Sequence, residues 1–131
     1  MSLRRILVAT DRSETAELAV QFAADMAVRF EAELLLCQVV IPPAEAPPHA
    51  REELTEYGRR FVGDLARGVV SMGEDPAQAI VDAAEAEDAD VVVVGNLGMS
   101  GRKEFLLGNV PNRISHNARC TVVIVNTSDP Q

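Results

Sequence analysis

Apolar positions along this chain switch between two periods. Ile6, Leu7, Val8 and Ala9 form a short continuous run that stops at Thr10-Asp11. A run of that length, bounded by polar residues, predicts a buried strand. Beyond it Ala16, Ala19, Val20, Ala23, Met26, Ala27 and Phe30 recur at the i, i+3, i+4, i+7 spacing of an amphipathic helix. Asp11 or Ser13 can cap that helix, and Glu14 and Glu17 suit its positive end. Residues 34–41 are apolar on both faces apart from Gln38. Burial on both faces is the mark of a strand in a parallel sheet covered by helices.

The segment 41–48 carries four prolines and predicts an extended loop. A helix is expected over about 50–66, interrupted by Gly58 and Gly63, and a weakly patterned third strand over 67–72. Gly73 turns the chain. Asp75-Pro76-Ala77-Gln78 then reads as a helix start, with Asp at the cap, Pro at the first position and Gln three residues after the cap. Ala77, Ile80, Val81 and Ala84 give that helix its buried face. The four valines at 91–94 predict a fourth strand, residues 109–117 a last helix, and 121–125 a fifth strand. Each gap between strands is long enough for a crossover helix. Right-handed crossovers then place helices on both faces of one open parallel sheet, an α/β fold.

With 131 residues, the chain has the length of a single domain, 1–131. No apolar run approaches the ~20 residues of a membrane helix, and no charged-then-apolar leader opens the chain, so a cytoplasmic protein is expected. Cys37 and Cys120 lie in or beside apolar runs, no CxxC occurs, and His49 and His116 are not spaced as zinc ligands. This predicts buried thiols in a reducing compartment and no metal site. The net charge of −8 argues against nucleic acid and anionic membrane as partners. The charge is uneven, however. Residues 74–90 hold seven acids and no base, whereas 95–119 hold Arg102, Lys103, Arg113 and Arg119 against Glu104 alone. An anionic ligand is expected at that second stretch.

In an open parallel sheet, ligands sit beyond the carboxyl ends of the strands, where the strand order reverses. Residues 95–109, leaving the fourth strand, are rich in glycine. Glycines there let backbone N–H groups approach a ligand, and Gly108-Asn109 opens a helix whose free N–H groups suit phosphate. A P-loop is absent, and the dinucleotide fingerprint is missing because residues 10–13 contain no glycine. On these residues alone, a phosphate loop and a tight turn both remain open.

The spacing is more specific. Gly95, Gly98 and Gly108 match the G-x2-G-x9-G-S/T pattern of the nucleotide-binding universal stress proteins. The opening Ile6-Leu7-Val8-Ala9-Thr10-Asp11-Arg12-Ser13-Glu14, Asp75-Pro76 before a helix, and Ala118-Arg119-Cys120-Thr121-Val122 also resemble that family. The resemblance runs over about residues 3–126. It implies an open five-stranded parallel sheet of order 3-2-1-4-5 with helices on both faces, the adenine nucleotide alpha hydrolase-like fold. It further implies an adenine nucleotide (ATP, or AMP or cyclic AMP, with or without magnesium) between the first and fourth strands. Asp11 would lie at the adenosine end with Thr10 flanking it, and Val39 would pack on adenine. Gly95 and Gly98 would line ribose and phosphates, and Gly108, Asn109 and Val110 would hold phosphate at the helix start. Arg102 and Lys103 are either phosphate partners or solvated side chains.

Asn109 stands where the binding members carry Ser or Thr, and Pro111 has no N–H to offer an anion. No nucleophile–base set lies in the glycine loop, so the expected activity is regulatory binding in the stress response, with at most slow hydrolysis. The alternative is a nucleotide-free stress-protein domain acting through dimerisation and partner recruitment. A flavin carrier lacks its aromatic bracket, because Tyr57 is the single Tyr and there is no Trp. The uncharged β-branched strand 121–125 would be a sheet edge, and it predicts a homodimer through that edge.

Overall fold

The computed structural model describes residues 2–96 and 110–127. The elements are β1 (Arg5–Ala9), α1 (Glu14–Phe30), β2 (Glu33–Val40), α2 (Ala50–Val62), a 3-10 turn (Gly63–Leu65), β3 (Ala66–Met72), α3 (Pro76–Ala86), β4 (Val91–Gly95), α4 (Val110–Asn117) and β5 (Thr121–Val125). The strands form one parallel sheet in the order β3-β2-β1-β4-β5. The chain builds outward from β1 to β3, then returns to the other side of β1 for β4 and β5. That reversal lies between β1 and β4.

The two-residue period of the strands divides the core into two layers. Ile6, Val8, Leu34, Leu36, Val91 and Val93 face α1 and α2, where Ala19, Ala23 and Ala27 let α1 pack closely. Leu7, Ala9, Leu35, Cys37, Val92 and Val94 face α3 and α4, against Ile80 and Ile114. Ile6, Leu7 and Val8 are fully buried, and each such side chain contributes roughly 1.5–3 kcal/mol of burial free energy.

Several boundaries move. Of the two candidate caps of α1, Ser13 performs the role, its Oγ accepting from the Ala16 N–H at 3.1 Å. Asp75 caps α3 by accepting from the Ala77 N–H at 3.1 Å, with Pro76 at the first position. Helix α2 stops at Val62 rather than near 66, because Gly63 takes φ 58° and turns the chain into a 3-10 turn. Gly58 does not interrupt α2. A methyl group there would collide with the Leu36 side chain and sit 2.9 Å from Ala66 Cβ, so its bareness lets α2 lie against β2 and β3. Strand β2 spans 33–40, which leaves Ile41 exposed beyond its end. Among the described residues, no helix is long and apolar enough to cross a membrane.

Candidate functional site at the carboxyl ends of the strands

The register of β1 on β4 pairs Ile6 with Val91, Leu7 with Val92 and Val8 with Val93. Carried forward, it sets Thr10 level with Gly95, the last residue of β4. On the other side, the Thr10 N–H donates to the Cys37 carbonyl at 2.9 Å and extends the β1–β2 ladder by one step. Val39 lies two residues further along β2, half-buried on the layer that also holds Val110 and Ile114. Thr10, Asp11, Val39, Gly95 and Val110 therefore share one end of the sheet, around the reversal of strand order. Gly98, Arg102, Lys103, Gly108 and Asn109 lie outside the described residues.

The turn after β1 is built by its own side chains. Thr10 is buried and its Oγ1 accepts from the Arg12 N–H at 2.9 Å. Asp11 Oδ1 accepts from the Ser13 N–H at 2.9 Å. Arg12 itself takes the left-handed conformation, φ 68°. The turn presents a buried hydroxyl and a half-buried carboxylate, and Val39 and Val110 belong to the apolar layer at the same end of the sheet. That combination suits a flat apolar group with a polar rim.

Two features of the site escaped the sequence reading. Asn96, just past β4, fastens the site's far side. Its N–H donates to the Val125 carbonyl at 2.8 Å, and its Oδ1 accepts from the Thr127 N–H at 2.8 Å and the Thr127 hydroxyl at 3.1 Å. A Gly-Asn pair closing a strand is the signal that could have found it, since Asn side chains bridge nearby backbone in turns. The second is a two-pronged pair between Arg113 on α4 and Asp75, the cap of α3. Arg113 Nη1 donates to Asp75 Oδ1 at 2.9 Å, and Nη2 donates to Oδ2. The Arg113 guanidinium, with the backbone N–H groups of the cap, holds the Asp75 carboxyl below the usual aspartate range, and the Arg113 pKa rises in return.

This pairing corrects the charge argument. Arg113 is committed to Asp75, and Arg119 precedes β5 at the opposite end of the sheet, 3.9 Å from Glu85. Two of the four bases expected around an anion are thus engaged elsewhere. The amino end is also occupied with itself: Arg67 bonds Glu33 at 3.1 Å and Glu87 at 2.8 Å, and Asp90 accepts from the Arg4 and Arg5 N–H groups at 2.8 and 3.0 Å. A cavity of about 320 Å³ opens there beside Cys120 and Arg119, and it lies far from the reversal of strand order. Of the two thiols, Cys37 is buried as expected and Cys120 is not. Burial pushes Cys37 up to about 12, whereas Cys120 is only half-buried and is raised for the same reason.

Several relatives match nearly the whole length of this chain. The universal stress protein of Methanothermobacter thermautotrophicus is 32% identical over 142 residues, covering 95% of this chain and 96% of that protein. A solved universal stress protein in complex with cAMP superposes with a TM-score of 0.78 at 29% identity, covering 98% of this chain and 100% of that one. The stress protein UspA from Lactobacillus plantarum, 22% identical over 96% of this chain and 99% of its own, has the same fold with a TM-score of 0.75. The model of the universal stress protein family matches residues 2–126, and the chain belongs to that family.

Proposed function

We propose that this protein is a regulatory module of the stress response that binds an adenine nucleotide, ATP in the first instance. The ligand would lie across Thr10, Asp11, Val39, Gly95, Gly98, Gly108, Asn109 and Val110, with Arg102 and Lys103 toward the phosphates. The observation that carries this reading is the convergence of Thr10, Asp11, Val39, Gly95 and Val110 around the β1–β4 reversal. Val39 and Val110 supply an apolar wall for a purine, and the Asp11 carboxylate an acceptor for its amino or hydroxyl groups. The cAMP complex of a protein 29% identical to this one supports a nucleotide at such a site. The role proposed is binding and orientation of the nucleotide, with at most slow hydrolysis.

Calorimetry with ATP and magnesium, alongside cAMP, tests the proposal, together with mass identification of any nucleotide released from the purified protein. Saturable heat is expected, and Gly98→Ala or Gly108→Ala should cost at least about 1 kcal/mol of affinity. An absence of heat for either nucleotide at millimolar concentrations would overturn it. A second reading, a nucleotide-free domain working through partners, is favoured by Pro111 in the first turn of α4, which removes one N–H from an anion. Asn109→Ser separates the two. Affinity within a few-fold means the amide replaces the missing hydroxyl, and tightening by about tenfold means Asn109 is a lesion at the phosphate end.

A further inference from the structure

Arg12 is a non-glycine residue in the left-handed region, φ 68°, at the turn that carries Thr10 and Asp11. L residues with ordinary side chains avoid this conformation unless the surroundings impose it. Locally, the turn is held by the Arg12 N–H on Thr10 Oγ1 at 2.9 Å and the Ser13 N–H on Asp11 Oδ1 at 2.9 Å. The turn is also linked to α2. The Arg12 guanidinium carbon lies 4.8 Å from the ring centroid of Tyr57 on α2, well within cation–π range.

The ring is unusually well prepared to hold a cation. Tyr57 is buried, and its hydroxyl donates to Glu17 Oε1 on α1 at 3.1 Å. A phenol donating to a carboxylate is richer in electron density, which strengthens attraction at its face. Phe61 meets the ring edge-on at 5.4 Å and fixes its tilt, and Arg60 approaches it at 5.5 Å. Burial and Glu17 push the Tyr57 phenol up to about 12 against the opposing pull of Arg12 and Arg60, so the ring stays neutral throughout the physiological range. Glu52, Glu53 and Glu56 line the same surface concavity as the two guanidiniums.

We infer that Tyr57 and Arg12 are positioning residues: the guanidinium clamped on the Tyr57 ring fixes the β1–α1 turn, so that α2 sets where Thr10 and Asp11 stand in the ligand pocket. Neither side chain is required to touch the ligand. The part concerning the pocket rests on the nucleotide reading above, whereas the clamp itself does not.

The two are separated by reading the turn without nucleotide. Amide hydrogen exchange of Arg12 and Ser13 is followed by NMR on the full chain, and ATP affinity is measured by calorimetry with magnesium. Arg12→Ala is the principal variant, because alanine is as disfavoured as arginine at φ 68° and only the guanidinium is lost. It lies on the surface, so folding is preserved; thermal melting checks this. Both amides should exchange about tenfold faster in Arg12→Ala and in Tyr57→Leu, and ATP should bind about tenfold more weakly in each. Arg12→Lys and Tyr57→Phe, which retain a cation and a ring, should recover most of both effects. Unchanged exchange in a folded Arg12→Ala would overturn the clamp. Faster exchange with ATP affinity unchanged would overturn its role in the pocket. Faster exchange with no ATP binding even by the unaltered protein would overturn the nucleotide reading and leave the clamp standing.

Discussion

β3 ends one side of the sheet and β5 the other. On the β3 side, α2 lies so close that the Gly68 N–H donates to Thr55 Oγ1 at 2.8 Å, and the Thr55 hydroxyl in turn donates to the Arg51 carbonyl at 2.9 Å. Ser71 Oγ reaches the Ala79 carbonyl on α3 at 2.9 Å, and Arg67 is held by Glu33 and Glu87. That edge is bonded to its own helices and carries a charge. Among the described residues, the β5 edge has neither protection. Residues 121–125 bear no charge, Thr121 and Ile124 are exposed, and no described element lies beyond them. Sheets that leave an apolar edge open invite a further strand. The molecule closes one edge with its own chain; at the other, no described element lies beyond β5.

The two thiols sharpen this contrast most strongly. Cys37 lies inside β2, behind the sealed edge, and Cys120 stands one residue before β5. With an aromatic disulfide reagent at mild alkaline pH, Cys120 should react readily. Cys37 should react at least about a thousandfold more slowly, because its exposure requires global opening. Two thiols reacting at comparable rates would mean that the β3 side opens locally. Alkali adds a second check on Cys37. Its pKa is raised from 9.0 to about 12, so the folded chain keeps a proton that the unfolded chain has released. That contribution to stability is complete below pH 9.0 and is lost as pH climbs toward about 12.

The next largest effect is at Gly68. A methyl group added there would strike the Arg51 carbonyl oxygen and sit 2.7 Å from Leu54 Cβ. Gly68→Ala should therefore cost about 1–3 kcal/mol in chemical denaturation as α2 is pushed off the edge. A loss under ~0.5 kcal/mol, the range of ordinary surface changes, would show that α2 seals the edge less closely than described. Thr55→Val is milder. It keeps the shape but strands the Gly68 N–H, at a cost of about 1 kcal/mol, and Thr55→Ser should restore most of it.

Much of this was legible in the chain. The four valines at 91–94, the helical spacing after Ser13 and the Asp75-Pro76 start each dictate one element through period or capping, with no need of distant contacts. The third strand was weakly patterned because its residues answer to neighbours instead: Gly68 is bare for α2, Arg67 is paired with Glu33 and Glu87, and Ser71 bonds α3. Gly58 resembled a helix breaker for the same reason, since its requirement comes from Leu36 across the interface. At the site, Thr10, Asp11 and Gly95 follow from strand ends, whereas Val39 and Val110 came only from the family resemblance. The Arg113–Asp75 pair followed from neither, because it joins residues 38 apart through the packing of α4 on α3. It turned an apparent local excess of positive charge into an internal bond.

The smallest expected change in stability is at β5, and it bears most directly on the comparison. The Val125 carbonyl accepts from the Asn96 N–H, so the backbone polar groups of Val125 turn toward β4. By alternation, those of Ile124 turn to the open side. We propose that a second copy pairs there antiparallel, bonding these groups about a two-fold axis. Ile124 is exposed, so Ile124→Lys should leave monomer stability within ~0.5 kcal/mol, its stem lying along the surface and its charge in water. In a dimer the same two lysines would be buried face to face, and light scattering should show the mass halved. Ile124→Pro tests the backbone directly by removing the outward N–H. Wild-type protein that is monomeric at tens of micromolar would end the proposal. A dimer that survives both substitutions would move the interface off this edge, and the segment 99–107 would be the next place to introduce charge.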